Sequence, residues 1–445
     1  MCTDSQRRWT VWLGAFAAAA GLGGTGVATA QTTSVNGKIA YTVCEYDSTV
    51  GDQVCDIWSV NPDGTGATNL TNSPTANEFG PAWSPDGTRI AYVEGPFFFS
   101  RLMVMNGDGS GQTVVTPTPS YQFDPTWSAD GTRLAFVRMV AGQVISTQFD
   151  ILVVNTDGTG EQDITNSDFD ELNPAWSPDG ARIAFAGVRF EQSVDPITGD
   201  PYTAAQYEIV TVNPDGSGEQ ILSGGDPGSL RATNLEDDRA PAWSPDGSQL
   251  VFMSQSVDPC CPPWQIWSVN RDGTGATVLS DDPAVNDLAP TFSPDGTQIL
   301  FSSDRDATSG GSFDLYTIPA PARAAALRVA AAATPTRITT AANASDPSWG
   351  RNPDAPPPPR LPLGVAVVRL GPGAGGVVKS SPAGILCGTD CRESYAPGTL
   401  VGLRAAANPS STFAGWAGAC TGRALTCVVR MDAAKGVAAF FVRRP

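Results

Sequence analysis

The chain has 445 residues, 27 basic against 45 acidic, and no histidine. A formal charge of −18 argues against a nucleic-acid partner, which needs a basic surface. The missing histidine removes Ser-His-Asp, Cys-His and His-ligated zinc chemistry, while 47 glycines and 37 prolines point to short strands joined by tight turns rather than to helices.

Arg7 and Arg8 lead into the apolar stretch Trp9–Leu22, and Ala28-Thr29-Ala30 follows as a small-x-small cleavage signal. This order predicts a signal peptide over residues 1–30, cut before Gln31. The stretch is short of the roughly 20 residues that span a bilayer and is interrupted by Gly21, Gly23, Gly24 and Gly26. The expectation is an exported, soluble protein, periplasmic or extracellular, with no membrane-spanning segment after cleavage. Eight cysteines follow Cys2, an even number in an oxidising compartment, so disulfides are expected. Cys44/Cys55, Cys387/Cys391 and Cys420/Cys427 are local pairs. Cys260 and Cys261 are adjacent, and a vicinal bond, pairing elsewhere and reduced thiols all stay open.

Residues 31–350 are organised by one phrase. Pro81-Ala82-Trp83-Ser84-Pro85-Asp86-Gly87 runs into Arg89-Ile90-Ala91-Tyr92-Val93 and returns at Pro125, Pro174, Pro241 and Pro290; a second phrase, IWSVNPDGTG at Ile57–Gly66, returns at Leu102, Ile151, Ile209 and Ile266. Each phrase is a pair of β-prone segments split by an Asp-Gly turn. Four antiparallel strands per repeat make a blade that cannot bury both its faces alone, so blades must stack around an axis. The strand "GKIAY" at Gly37–Tyr41 lacks its innermost partner, and an orphan partner, Asp346-Pro347-Ser348-Trp349, stands at the other end. The prediction is an all-β, six-bladed propeller closed by N- and C-terminal strands of one blade. These phrases resemble the TolB-type propeller repeat, a W-S-P-D-G relative of the WD repeat.

Asp354–Arg360 (DAPPPPR) is a stiff Pro-rich linker, read as residues 351–360. Residues 361–445 then form a small β-rich module. Gly376-Val377-Val378, Pro382-Ala383-Gly384-Ile385-Leu386-Cys387, Tyr395, Pro397-Gly398-Thr399 and Phe413-Ala414-Gly415-Trp416 resemble the bacterial surface-repeat domain related to the internalin B-repeat. Such modules are accessory domains of exported proteins. Two disulfides suit so small a core. Residues 360–445 carry net +7 and residues 31–359 net −26, so the basic module could adhere to an anionic cell-surface polymer or dock on its own propeller.

Loops of variable length, Cys44–Asp56, Glu94–Arg101, Arg138–Phe149, Gly187–Tyr207, Ser223–Ala240 and Ser254–Gln265, fall on one face of the disc, and variable loops on a rigid scaffold are where binding usually sits. They carry Phe97, Phe98, Phe99, Phe149, Tyr202, Tyr207 and Trp264, sized for a protein or glycan surface. Three residues before each repeat proline stand Glu78, Gln122, Glu171, Asp238, Asp287 and Ala344, placed by this reading at the mouth of the axial channel, where carboxylates could hold Ca²⁺, receive a basic peptide or simply form a solvated rim. Otherwise no cofactor is expected. Asn106–Ser110 imitates a calcium loop but reaches Pro117 at the twelfth position, and Ser84–Gly87 imitates a sialidase Asp-box with the wrong spacing; both are hairpin turns. The expected function is a non-enzymatic exported scaffold binding an envelope protein or peptide. The alternative is a carbohydrate-binding or carbohydrate-cleaving propeller that uses the channel carboxylates.

Overall fold

The computed structural model describes residues 35–47, 52–73, 76–96, 99–140, 148–167, 169–194, 201–223, 236–256, 263–280, 282–307, 312–321, 334–340, 343–355, 360–381, 384–387, 391–395, 400–431 and 434–444. The expected signal peptide, Cys260, Cys261, Phe97 and Phe98 lie outside them.

Between residues 36 and 351 the described strands form six four-stranded sheets. Blades 2 to 6 run in chain order over residues 78–114, 122–163, 171–221, 236–278 and 287–337. Blade 1 takes Asn36–Asp47, Asp52–Val60 and Thr68–Asn69, and receives its innermost strand, Ala344–Arg351, from the far end. Ile39 pairs with Trp349 and Val43 with Ala344. The Trp349 indole also donates to the Gly37 carbonyl (3.2 Å). The two chain segments thus complete one blade.

Within a blade, the second strands show no alternation: Ile90 to Val93 and Leu134 to Val137 are all buried. That is what a sheet covered on both faces requires. The core is accordingly split among the seams. Ala135, Val137 and Ile151 of blade 3 pack on Trp176, Ile183 and Phe185 of blade 4, while Leu134, Phe136 and Leu152, on the opposite face of blade 3, pack on Leu102 and Val104 of blade 2. The seam between blades 6 and 1 has the same build, with Leu300 and Leu315 against Ile39, Tyr41 and Trp349. Every seam carries such a cluster. Losing one large buried ring, such as Phe136, would cost about 3–5 kcal/mol.

The tight turns are built alike. Ser84 Oγ donates to Asp86 Oδ1 (2.6 Å), and Thr88 donates its backbone N–H and hydroxyl to the same oxygen. The same set recurs around Asp130 and Asp295. Gly87 has φ +72°, and a Cβ there would lie 1.9 Å from the Arg351 carbonyl oxygen, so only glycine fits. The longer loops begin as extensions of the hairpins. The segment read as a loop from Gly187 to Tyr207 is mostly ladder, because Ile183–Val194 pairs residue for residue with Pro201–Val212. The first hairpin continues to Asp47 and Asp52 with Cys44 opposite Cys55, and these two are disulfide-bonded.

Residues 361–444 form two more four-stranded sheets. Leu361–Leu370 and Lys435–Arg443 are parallel neighbours in one of them. Leu363, Val378, Leu403, Trp416 and Phe441 form a separate core. Gly376 is required there, since a Cβ would sit 2.2 Å from the Phe441 ring. Cys387–Cys391 and Cys420–Cys427 are bonded.

Candidate functional site

The innermost strands determine the axis. In blade 2, Phe79 pairs with Val93 but the next pair is Ala82 with Ala91, so the strand bulges at Gly80-Pro81. Blades 3 to 6 bulge at the same place. The residue before each repeat proline is left-handed: Gly80 (φ +62°), Asp124 (+53°), Asn173 (+53°), Ala240 (+51°), Ala289 (+49°) and Asp346 (+49°). Five of these six are not glycine, and such backbone costs about 1–3 kcal/mol each. Together with their prolines they line an axial cavity of about 210 Å³.

The cavity is polar on one side. Asn173 Nδ2 donates to Asp124 Oδ2 (2.6 Å), and Gly80 separates Asp124 from Asp346 along the ring. Exclusion of bulk water by the channel wall, and then the Asp346 charge, push the Asp124 carboxyl up to about 7 against the opposing Asn173 hydrogen bond. Asp346 is also raised by desolvation. Ala240 and Ala289 complete the other side.

The six positions expected at the channel mouth do not line this cavity. Glu78, Gln122, Glu171, Asp238, Asp287 and Ala344 are each at most 3% exposed. The bulge is the physical reason: the pre-proline residue faces the axis, while the residue two places earlier turns into the seam. There Gln122 is satisfied by Thr116 (2.8 Å) and Ser120 (2.9 Å). Asp287 accepts from Arg305 (2.8 and 3.0 Å). Ser167 donates to Glu171. Among the described residues no group of three or more His, Cys, Asp or Glu is arranged to hold a metal ion, and no helix is long and apolar enough to cross a membrane.

The hairpin ends and blade-to-blade connections share the other candidate surface. Phe99 is 68% exposed, and Tyr46 (69%) and Phe169 (42%) stand on the same face, although neither is among the aromatics expected to bind. Phe149 is half-buried and packs edge-on against Tyr121 (5.1 Å) and Phe123 (5.4 Å). Trp264 and Tyr207 flank Arg239, whose guanidinium lies 5.7 and 4.1 Å from their rings. Tyr202 sits opposite Ser193 near the end of its ribbon. On the opposite face Asp63, Asp108 and Asp157 accept hydrogen bonds from their own turn residues, which hold their carboxyls below the usual range. Those carboxylates are spent on turns. Arg430 of the C-terminal module donates to the Asp246 carbonyl in a tight turn of blade 5 (2.9 Å).

A closed ring of W-S-P-D-G blades with bulged proline strands around its axis defines a β-propeller, carried here with a disulfide-stapled β module. Residues 27–193 match the family described as TolB beta propeller domain, and residues 367–445 match the Divergent InlB B-repeat domain. Both resemblances read from the sequence are thereby found. The chain is similar in fold to TolB from Acinetobacter baumannii, at 15% identity and TM-score 0.51, over 71% of this chain and 66% of that one. It therefore spans just under two thirds of that protein's length. It is also similar to Kuenenia stuttgartiensis hydrazine synthase (14% identity, TM-score 0.54, 78% of this chain and 57% of that one). A putative TolB from Agrobacterium tumefaciens matches at 19% identity and TM-score 0.46, over 72% of this chain and 96% of that one. No curated protein matches the chain. At these identities the likeness extends to fold alone.

Proposed function

We propose that the protein is an exported, non-enzymatic binding scaffold that recognises a protein or peptide of the cell envelope through the variable-loop face of its propeller. The observation that carries this reading is the set of large exposed aromatics, Tyr46, Phe99 and Phe169, held on blades 1 to 3 and their connections. Exposed aromatic anchors on a rigid frame suit a protein surface. The basic module, net +7, supplies attraction to an anionic surface polymer. The carbohydrate-cleaving alternative needs open carboxylates, and Glu171 and Asp238, at 2% exposure each, are enclosed at the seams.

Crosslinking in the native envelope followed by affinity capture tests the reading. The wild-type chain is expected to retain a partner protein that a Tyr46→Ala/Phe99→Ala/Phe169→Ala variant of equal thermal stability loses. Equal capture by both proteins counts against the loop face, and glycan turnover by the wild type counts against a scaffold.

A further inference from the structure

The start of each innermost strand meets the third strand of the preceding blade, and the six seams handle the buried polar groups there in different ways. Between blades 2 and 3 the groups are neutral: Ser100 donates to the Gln122 carbonyl (2.9 Å), and Thr116 donates to the Gln122 side chain (2.8 Å). Between blades 5 and 6, Arg305 neutralises Asp287 (2.8 Å). Between blades 6 and 1, Arg337 neutralises Asp314, opposite the uncharged Ala344.

The other three seams each bring two acids together; between blades 4 and 5 these are Asp238 and Glu208, which accepts from the Gln206 amide (3.2 Å). Between blades 3 and 4, Asp150 and Glu171, each 2% exposed, are bridged by Ser167, whose backbone N–H donates to Asp150 (3.3 Å) and whose hydroxyl donates to Glu171. Two carboxyls buried side by side do not both ionise readily, so one of them keeps its proton. Glu171 Oε1 accepts from Ser167 and Glu171 Oε2 has no donor. Asp150 accepts from Thr165 (3.4 Å) and the Ser167 backbone N–H (3.3 Å). Between blades 1 and 2, Glu78 is 3% exposed and its Oε2 likewise has no donor, while Asp56 beside it accepts from Asn69, Thr71 and the Ser73 N–H (2.9, 2.9 and 3.0 Å).

The surrounding charges do not supply a counterion. Around Glu171 stand Asp150, Asp163, Asp170 and Tyr207; Arg239 is held over Tyr207 and beside Asp237 (3.3 Å), and Arg138 by Glu161 (2.8 Å). Around Glu78 stand Asp56, Glu94 and Tyr92, with Arg101 taken by Glu94 (3.1 Å). Among the described residues neither glutamate forms an ion pair.

We propose that the seams between blades 1 and 2 and between blades 3 and 4 are each closed by a proton kept on a buried glutamic acid, Glu78 and Glu171, so that these two seams loosen as pH rises while the arginine-neutralised seams do not. The carboxyl of Glu78, pushed up to about 8 by burial and then by Asp56, agrees, and so does the upward displacement of Glu171, through burial and then the proximity of Asp150. Folding then takes up a proton at each site. The stabilisation is complete below the ordinary glutamate value and is lost as pH rises through the folded value.

Thermal and denaturant unfolding of the full chain from pH 4 to 9 tests this, comparing wild type with Glu171→Gln and Glu78→Gln. In the window from about pH 5 to 8 each wild-type site should shift the unfolding equilibrium by up to tenfold per pH unit relative to its Gln variant. Each variant should match wild type near pH 4 and exceed it at pH 8.5. Parallel curves, or a variant equally weakened at both ends, overturn the proposal. Hydrogen exchange on wild type needs no variant. Amides of Gln148–Asn155 and Glu171–Trp176 should lose protection between pH 6 and 8.5, after correction for intrinsic rates, more than those of Asp287–Phe292 and Asp314–Pro319. An equal change in both sets also overturns it.

Discussion

The seam between blades 3 and 4 and the seam between blades 5 and 6 occupy equivalent places in the ring, yet their chemistry is opposed. The first sets Asp150 against Glu171, and the second sets Asp287 against Arg305. Both are lined by comparable apolar side chains, with Ile151, Ile183 and Phe185 in one and Ile266, Ile299 and Phe301 in the other. The apolar part of a blade contact therefore repeats, while the polar part varies from seam to seam. The difference teaches that the ring does not need one electrostatic solution. It needs each buried carboxyl to have an arginine, a neutral partner or a proton.

The largest effect should come from removing the arginine. Arg305→Met leaves Asp287 buried without its partner and should cost about 3–5 kcal/mol at pH 7, read by denaturant unfolding. Next, Gln122→Glu places a carboxyl at the neutral seam between blades 2 and 3. Its cost at pH 8 should be roughly 1–3 kcal/mol, for a buried polar group whose partners no longer match, and should fade toward pH 4. A pH-independent cost would show that packing, not charge, separates the seams. The smallest effect belongs to the axis. Asp124→Asn keeps the shape of the cavity wall and removes a carboxyl raised to about 7. It should flatten the stability profile between about pH 4 and 7 with a gain at pH 8 smaller than that of Glu171→Gln, because Asp124 faces a cavity rather than a closed seam. A larger gain would make the axis, not the seam, the main acid-sensitive element.

Much of this frame could be read from the repeats. The W-S-P-D-G phrases give the blades their turns, since Pro, Asp and Gly each supply a specific piece of turn geometry. The unmatched strands near Ile39 and Trp349 pointed to the shared blade that the register displays. Local cysteine spacing indicated three pairs, and all three are bonded. The axis was misread by two residues. Glu78 and Glu171 were expected at the channel, but Gly80, Asp124, Asn173 and Asp346 line it. A signal was present, because the position before the repeat proline varies (Gly, Asp, Asn, Ala, Ala, Asp) within an otherwise repeated phrase. It was not decisive, because a bulge re-phases the strand and simple alternation no longer tells which side chain faces the axis. The span from Gly187 to Tyr207 was similarly read as a loop, for its composition does not show the long ladder that extends the hairpin.

The sequence alone determined the repeating unit, the turns and the strand shared between the chain ends, because these follow from local propensity and from the need of each two-faced apolar blade for neighbours. Only the tertiary structure decided which carboxyls meet across a seam, which face the axis and which aromatics remain exposed. Those outcomes depend on side-chain direction after the bulge and on contacts between blades more than twenty residues apart in the chain, as for Asp150 and Glu171, which no local pattern encodes.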